Sequence, residues 1–214
     1  MLPECLHRVL DTRADFLTGQ PLPQSHADKP IVYLLLTGCV VLVNRNGLTT
    51  GVFWPGDLVL APVEGAGSGM KLRAVSDSTC QAGLRADLLA ESMRDMDVAH
   101  WLWEQHERRE TELHRRVELL TTESVERRVL QTVADLADRC QAVSPGLPMP
   151  LAQNEIAELA GATRETTSTL LNRMRRLGMV ELGRRRIQVI SPDVVRALEG
   201  LGEATQGQAK AAVH

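Results

Sequence analysis

Between Leu88 and Gln141 the chain carries neither glycine nor proline. A stretch of that length without either backbone breaker, and rich in Leu, Glu, Arg and Ala, predicts helix throughout. Thr121-Thr122-Glu123-Ser124 is its natural boundary, with Thr122 expected as N-cap of a second helix that runs to about Gln141. In the first part, Val98, Leu102, Leu113, Val117 and Leu120 fall near a three/four spacing and predict a seam, interrupted by Gln105, His106 and Arg109. Such an imperfect stripe fits a partly polar contact between two copies, or a helix lying on its own β-domain.

The segment before this stretch reads as β-structure. From Ile31 to Leu89, short β-branched runs alternate with turn signals at Thr37-Gly38, Asn46-Gly47, Pro55-Gly56-Asp57 and the glycine-rich segment from Gly65 to Gly69. Asn46-Gly47 predicts a hairpin closed by a type I′ turn. Several short strands at this spacing predict a small roll, barrel or sandwich.

After the helical stretch comes a turn-rich connector, Ser144 to Pro150, and then "QNEIAELAGATRETTSTLLNRMRRLG". Ile156, Leu159 and Ala160 give one short helix an apolar side, and Gly161 stands where the chain must turn. Thr163 is placed to cap a second helix whose expected inward face is Leu170, Met174 and Leu177, with Gly178 at its end. Its opposite face presents Arg164, Glu165, Ser168, Thr169 and Asn172. Arginine forks onto guanine, glutamate accepts from cytosine, and serine or threonine serves base or phosphate. Arg164, Glu165, Ser168 and Thr169 are therefore the candidate base readers. Gln153, Asn154, Thr163, Thr166 and the run Arg184-Arg185-Arg186, in a hairpin after the helix, are the candidate phosphate contacts.

The net charge of −3 does not contradict a nucleic-acid partner. From Thr163 to Ile190 there are seven arginines against Glu165 and Glu181, a local charge of +5, and phosphate contacts act over about 10 Å or less. The longest apolar run, Ile31 to Val43, is short of the about 20 residues a bilayer span needs. The N-terminus lacks the regions of a signal peptide, so the expected location is cytoplasmic, with no membrane partner. Cys5, Cys39, Cys80 and Cys140 form no close pair and read as separate thiols.

Over most of its length the sequence resembles the CRP/FNR family of bacterial transcription regulators. The resemblance rests on "YLLLTGCVVLV", "WPGDLV", the long helix, "QNEIAELAGATRETTSTLLNRMRRLGMVEL" and "GRRRIQVI". It implies an α+β fold: a cyclic-nucleotide-binding-like β-roll over residues 1–90, a long dimerisation helix over 91–121, and a winged helix-turn-helix over 122–199; the polar, Gly- and Ala-rich composition of 200–214 predicts a disordered tail. It also implies a homodimer on a palindromic double-stranded DNA site, a small-molecule effector in many members, and RNA polymerase as partner for an activator.

The departures bear on the signal. Cyclic-AMP-binding members carry a Gly-Glu-Leu segment followed by Arg-Ser or Arg-Thr. Here Ala61 stands near the expected Glu and glycines or Ser68 near the expected Arg, with only Lys71 and Arg73 as nearby cations, neither placed by the pattern in a pocket. Cyclic AMP is therefore not expected as a ligand. Nor is an iron–sulfur cluster, because Cys5 is alone in the N-terminal region. Haem stays open, with His7, His26, His100, His106, His114, Cys5, Cys39 and Cys80 as axial candidates outside any motif. So does a small organic ligand between roll and long helix, with Trp101 and Trp103 as lining candidates, and so does control by abundance alone. In the recognition helix, Arg164, Glu165 and Ser168 match the family pattern, while Thr169 replaces its final arginine. An enzyme is not expected: residues 31–89 contain no histidine for a metal-dependent cupin, and no nucleophile elbow is visible.

Overall fold

The computed structural model describes residue 3, residues 6–62 and residues 69–190. The chain forms two compact units, Met1–Val117 and Glu118–His214.

The first unit opens with α1 (Leu6–Val9), β1 (Thr12–Phe16), β2 (Pro21–Leu22), β3 (Ser25–His26) and β4 (Lys29–Thr37). It continues with β5 (Val40–Val43), β6 (Thr49–Phe53), β7 (Leu58–Leu60), β8 (Lys71–Ala74), β9 (Ser78–Leu84) and α2 (Arg85–Ser92). Among the described residues all strand pairings are antiparallel. One sheet runs β1-β9-β4-β3, with β7 also on β4, and the other runs β2-β8-β5-β6. Leu22, Tyr33, Leu35, Val40, Leu72 and Cys80 fill the core of this curled roll. The opposite face of β4, Val32 and Leu34, is covered by Leu6, Leu10, Leu88, Val98 and Trp101. A strand buried on both faces cannot alternate polar and apolar residues, which accounts for the continuous run "IVYLLL".

Glycine shapes two of the roll's turns. Asn46-Gly47 does close one, but Gly47 alone has positive φ (+80°), whereas type I′ needs two such residues. The amide of Gly47 donates to the Asn44 carbonyl (2.9 Å), and the Asn44 Oδ1 accepts from Asn46 (2.9 Å) and Leu48 (3.0 Å). The Asn44 side chain thereby closes a longer loop. Gly38, between β4 and β5, has φ +89°, and a Cβ there would run into Ser78 and the Asp77 carbonyl. Gly38→Ala is expected to cost about 2 kcal/mol or more, read as a lower denaturant midpoint at unchanged slope.

The glycine-free stretch is three helices: α2, α3 (Met96–Thr122) and α4 (Val125–Val143). Thr122 is not the expected cap. Its hydroxyl donates to the Glu118 carbonyl one turn back (2.8 Å), and Ser124 caps α4 by accepting from the Arg127 amide (3.3 Å).

The expected seam on α3 also divides. Val98 is fully buried and Leu102 packs in the same cluster, so both serve the roll itself. Gln105, Arg109 and Arg116 continue that inward face: the Gln105 Oε1 accepts from the Leu58 amide (3.4 Å), the Arg109 guanidinium lies 4.8 Å from the Phe53 ring centre, and Arg116 donates to the Thr50 carbonyl. Leu113, Val117 and Leu120 are exposed on the other side. Their three/four spacing runs back through Glu110, His106, Trp103, Ala99 and Met96.

The second unit packs α4 against α5 (Gln153–Leu159) and α6 (Arg164–Arg176), then closes with the hairpin β10 (Val180–Gly183) and β11 (Arg186–Val189). The chain at Met149 bridges to Ile187 (2.8 and 3.0 Å), adding a third short segment beside β11. Val133, Leu151, Ile156, Leu171 and Met174 are buried at its centre.

Candidate nucleic-acid interface

The turn between α5 and α6 is made by Gly161, at φ +57°. A Cβ there would meet only the end of the exposed Leu120 side chain, which can move aside, so it is the left-handed backbone that calls for glycine. Arg128 of α4 holds this turn with its guanidinium. Nε donates to the Ala160 carbonyl (3.0 Å), Nη2 to that of Gly161 (2.9 Å), and Nη1 to that of Glu123 (3.3 Å). Sequence reasoning misses Arg128, because nothing local distinguishes it from Arg127.

Thr163 caps α6, its Oγ1 accepting from the Thr166 amide (3.1 Å), with the Thr166 hydroxyl 2.9 Å away. The inward face of α6 is Thr167, Leu170, Leu171 and Met174. Leu177, expected to join them, is 53% exposed: it is the C-cap, and Gly178 at φ +71° turns the chain before another helical turn forms. Arg164, Glu165 and Thr169 are exposed. Ser168 is half-buried, with its carbonyl and hydroxyl both accepting from Asn172 Nδ2 (2.8 and 3.3 Å). Exposed donors and acceptors thus crowd the N-terminal half of α6, where the helix dipole favours an anion. On α5, Gln153 is half-buried, and Asn154 is exposed and donates to the Glu158 carboxylate.

The three arginines of the wing are not equivalent. Arg184 and Arg186 are exposed. Arg185 has φ +51°, and its Nη2 meets the Glu155 carboxylate at 2.9 Å. The Glu155 side chain is 4% exposed, and its other oxygen accepts from the Ala152 amide (2.7 Å), capping α5. Arg185 is therefore engaged as an anchor of the wing on α5, which departs from the expected phosphate contact.

In the roll, cations reach β6 from the long helix, as Arg109 and Arg116, in addition to Lys71 and Arg73 on β8. Burial pulls the Arg116 guanidinium below the usual arginine value, and Glu112 offsets part of this. Ser68 and Cys5 lie outside the described residues. Cys39, Cys80 and Cys140 are buried. Burial, with the Asp15 charge, pushes the Cys80 thiol up to about 12, far from a reactive thiolate. The histidines do not converge: His7 pairs with Gln81, His100 with Glu104, and His106 stands beside the Trp103 ring. Among the described residues no group of three His, Cys, Asp or Glu side chains is placed to hold a metal ion. Trp101 is buried in the roll's outer cluster, whereas Trp103 is 65% exposed.

Residues 127–198 match the family of Crp-like helix-turn-helix domains. Among solved structures, FixK2 from Bradyrhizobium japonicum is 21% identical with a TM-score of 0.71, the match covering 87% of this chain and 96% of that one. A CRP family transcriptional regulator from Thermus thermophilus, TTHB099, is 19% identical with a TM-score of 0.67, covering 87% and 96%. The c-di-GMP responsive global regulator CLP from Xanthomonas campestris is 18% identical with a TM-score of 0.66, covering 87% and 98%. No curated protein sequence matches the chain.

Proposed function

We propose that this chain, a DNA-binding transcription regulator of the CRP/FNR type, works as a cytoplasmic homodimer on a palindromic site, without cyclic AMP and without catalytic activity. The observation that carries this reading is the exposed cluster Arg164, Glu165 and Thr169 at the start of a capped helix beside a basic wing. These side chains, with Ser168, read base edges. Gln153, Asn154, Thr163, Thr166, Arg184 and Arg186 hold phosphates, and Arg185 fixes the wing that carries its two neighbours. Among the described residues no helix is long and apolar enough to cross a membrane.

The dimer seam runs along the outer face of α3 through Trp103, Leu113, Val117 and Leu120, whose apolar side chains are 40–65% exposed. A parallel pairing there gives two recognition helices a two-fold relation, and a helix-turn-helix dimer reads half-sites about 34 Å apart. Cyclic AMP is disfavoured because Ala61 is buried where cyclic-AMP-binding members carry a glutamate. An effector of another kind, and RNA polymerase as partner for an activator, are compatible with this architecture.

The test is the native mass together with DNA selection on the purified full-length protein. The expected outcome is a dimer that enriches an inverted repeat with half-sites one helical turn apart. Val117→Asp buries an unpaired charge in the seam and should weaken dimerisation by about two orders of magnitude or more. A monomer that selects a single, non-repeated site would overturn the dimer reading. An unchanged dimer in Val117→Asp would move the seam elsewhere.

A further inference from the structure

The roll is not filled to its end. Where β1, β9 and β4 lie side by side, the small, half-buried side chain of Ala14 leaves room, and a cleft of about 760 Å³ opens between these strands and α2. This lies within the range of about 300–1,000 Å³ typical of small-molecule sites. Its accessible apolar walls are Ala14 and Phe16 on β1, with Leu84 and Ala90 toward α2, while Ile31 and Tyr33 behind them are buried. Phe16 and Tyr33 stand edge to face with centroids 5.9 Å apart. The Tyr33 hydroxyl donates to the Pro23 carbonyl at 2.8 Å, so it offers the cleft no free donor.

The charged lining residues are exposed or half-buried. Arg8 and Asp11 come from the α1–β1 side, and Asp87, Glu91 and Arg94 from α2 and its end, with Arg94 and Glu91 4.0 Å apart. Both signs are present and no charged group lies deep, so the rim selects for neither sign. A charged ligand would lose its hydration there without gaining a buried partner, whereas an apolar ring system keeps contact with Phe16, Leu84 and Ala90. No residue of α3 lines the cleft, which sets it apart from the strand face met by Arg109 and Arg116.

We propose that this cleft is a binding site for an uncharged, aromatic or alicyclic molecule of about two or three rings. Among the described residues its lining comes from the first unit and from neither the reading helix nor the dimer seam, so its failure would leave the proposed function standing. The probe is N-phenyl-1-naphthylamine, an uncharged fluorophore that brightens on leaving water, titrated into the full-length protein. Expected are saturable binding at one site per chain and at least about tenfold weaker binding in Ala14→Leu and in Ala90→Trp, which fill the cleft from opposite sides. Leu147→Ala, at an exposed leucine of the connector, should bind as the parent does. Methyl spectra of the unsubstituted protein locate the probe even if a variant fails to fold: shifts should concentrate at Ala14, Ile31, Ala82 and Ala90. Non-saturating binding, equal binding in all folded variants, or shifts centred elsewhere would overturn the assignment.

Discussion

Glu155→Ala is expected to destabilise the DNA-binding unit by about 2–4 kcal/mol, an early loss of its unfolding transition. The carboxylate caps α5 through the Ala152 amide and pairs with Arg185, and its own side chain is 4% exposed. Breaking a buried ion pair costs about 3–5 kcal/mol, reduced here because the Arg185 side chain is 36% exposed, while a lost cap adds about 1 kcal/mol. DNA affinity should fall for all sequences alike, since the wing loses its hold on α5. Arg185→Ala strands the same carboxylate and should also lower stability. If Arg185→Ala instead leaves stability unchanged and only flattens the salt dependence of DNA binding, Arg185 is a phosphate arm and the anchor is misassigned.

Arg164→Ala should lose about 1–3 kcal/mol of discrimination at one base pair of each half-site, roughly 5- to 150-fold, with affinity for unrelated DNA little changed. Arg184→Ala should do the opposite: weaken binding to every sequence and reduce the salt slope by about one. DNA selection followed by salt titration on both variants separates the two roles. A base preference left intact in Arg164→Ala would remove Arg164 from the reading surface. Because Thr169 stands where the family pattern ends in arginine, the preferred half-site should be related to the common one and differ from it at one step.

The elements governed by local chemistry were legible in the sequence. Gly161 turns the chain, Thr163 caps α6, and the Asn46-Gly47 pair marks a hairpin. What escaped depended on contacts distant in sequence. Three consecutive arginines look alike until a two-residue turn points one of them at Glu155, thirty positions earlier. Thr122 and Ser124 are both plausible caps, and only the path of α3 leaves Ser124 at the break. The seam on α3 divides because spacing alone does not say what lies against a helix: Val98 and Leu102 pack with Leu34 and Trp101 on the roll, while Leu113, Val117 and Leu120 stay exposed. A seven-residue repeat drifts about 20° per heptad on a straight helix, so the exposed stripe followed back from Val117 reaches Trp103.

Arg128 has a mechanical meaning. Its guanidinium is flat, with donors fixed in a fork, and it holds one carbonyl at the break after α3 and two at the turn before α6. The break at Glu123-Ser124 is therefore a pinned joint and not a free swivel. Any tilt of the last turn of α3 is transmitted to the reading turn with little slack, over the reach of one side chain. A lysine at this position, with a single point charge on a flexible stem, would leave the same joint loose.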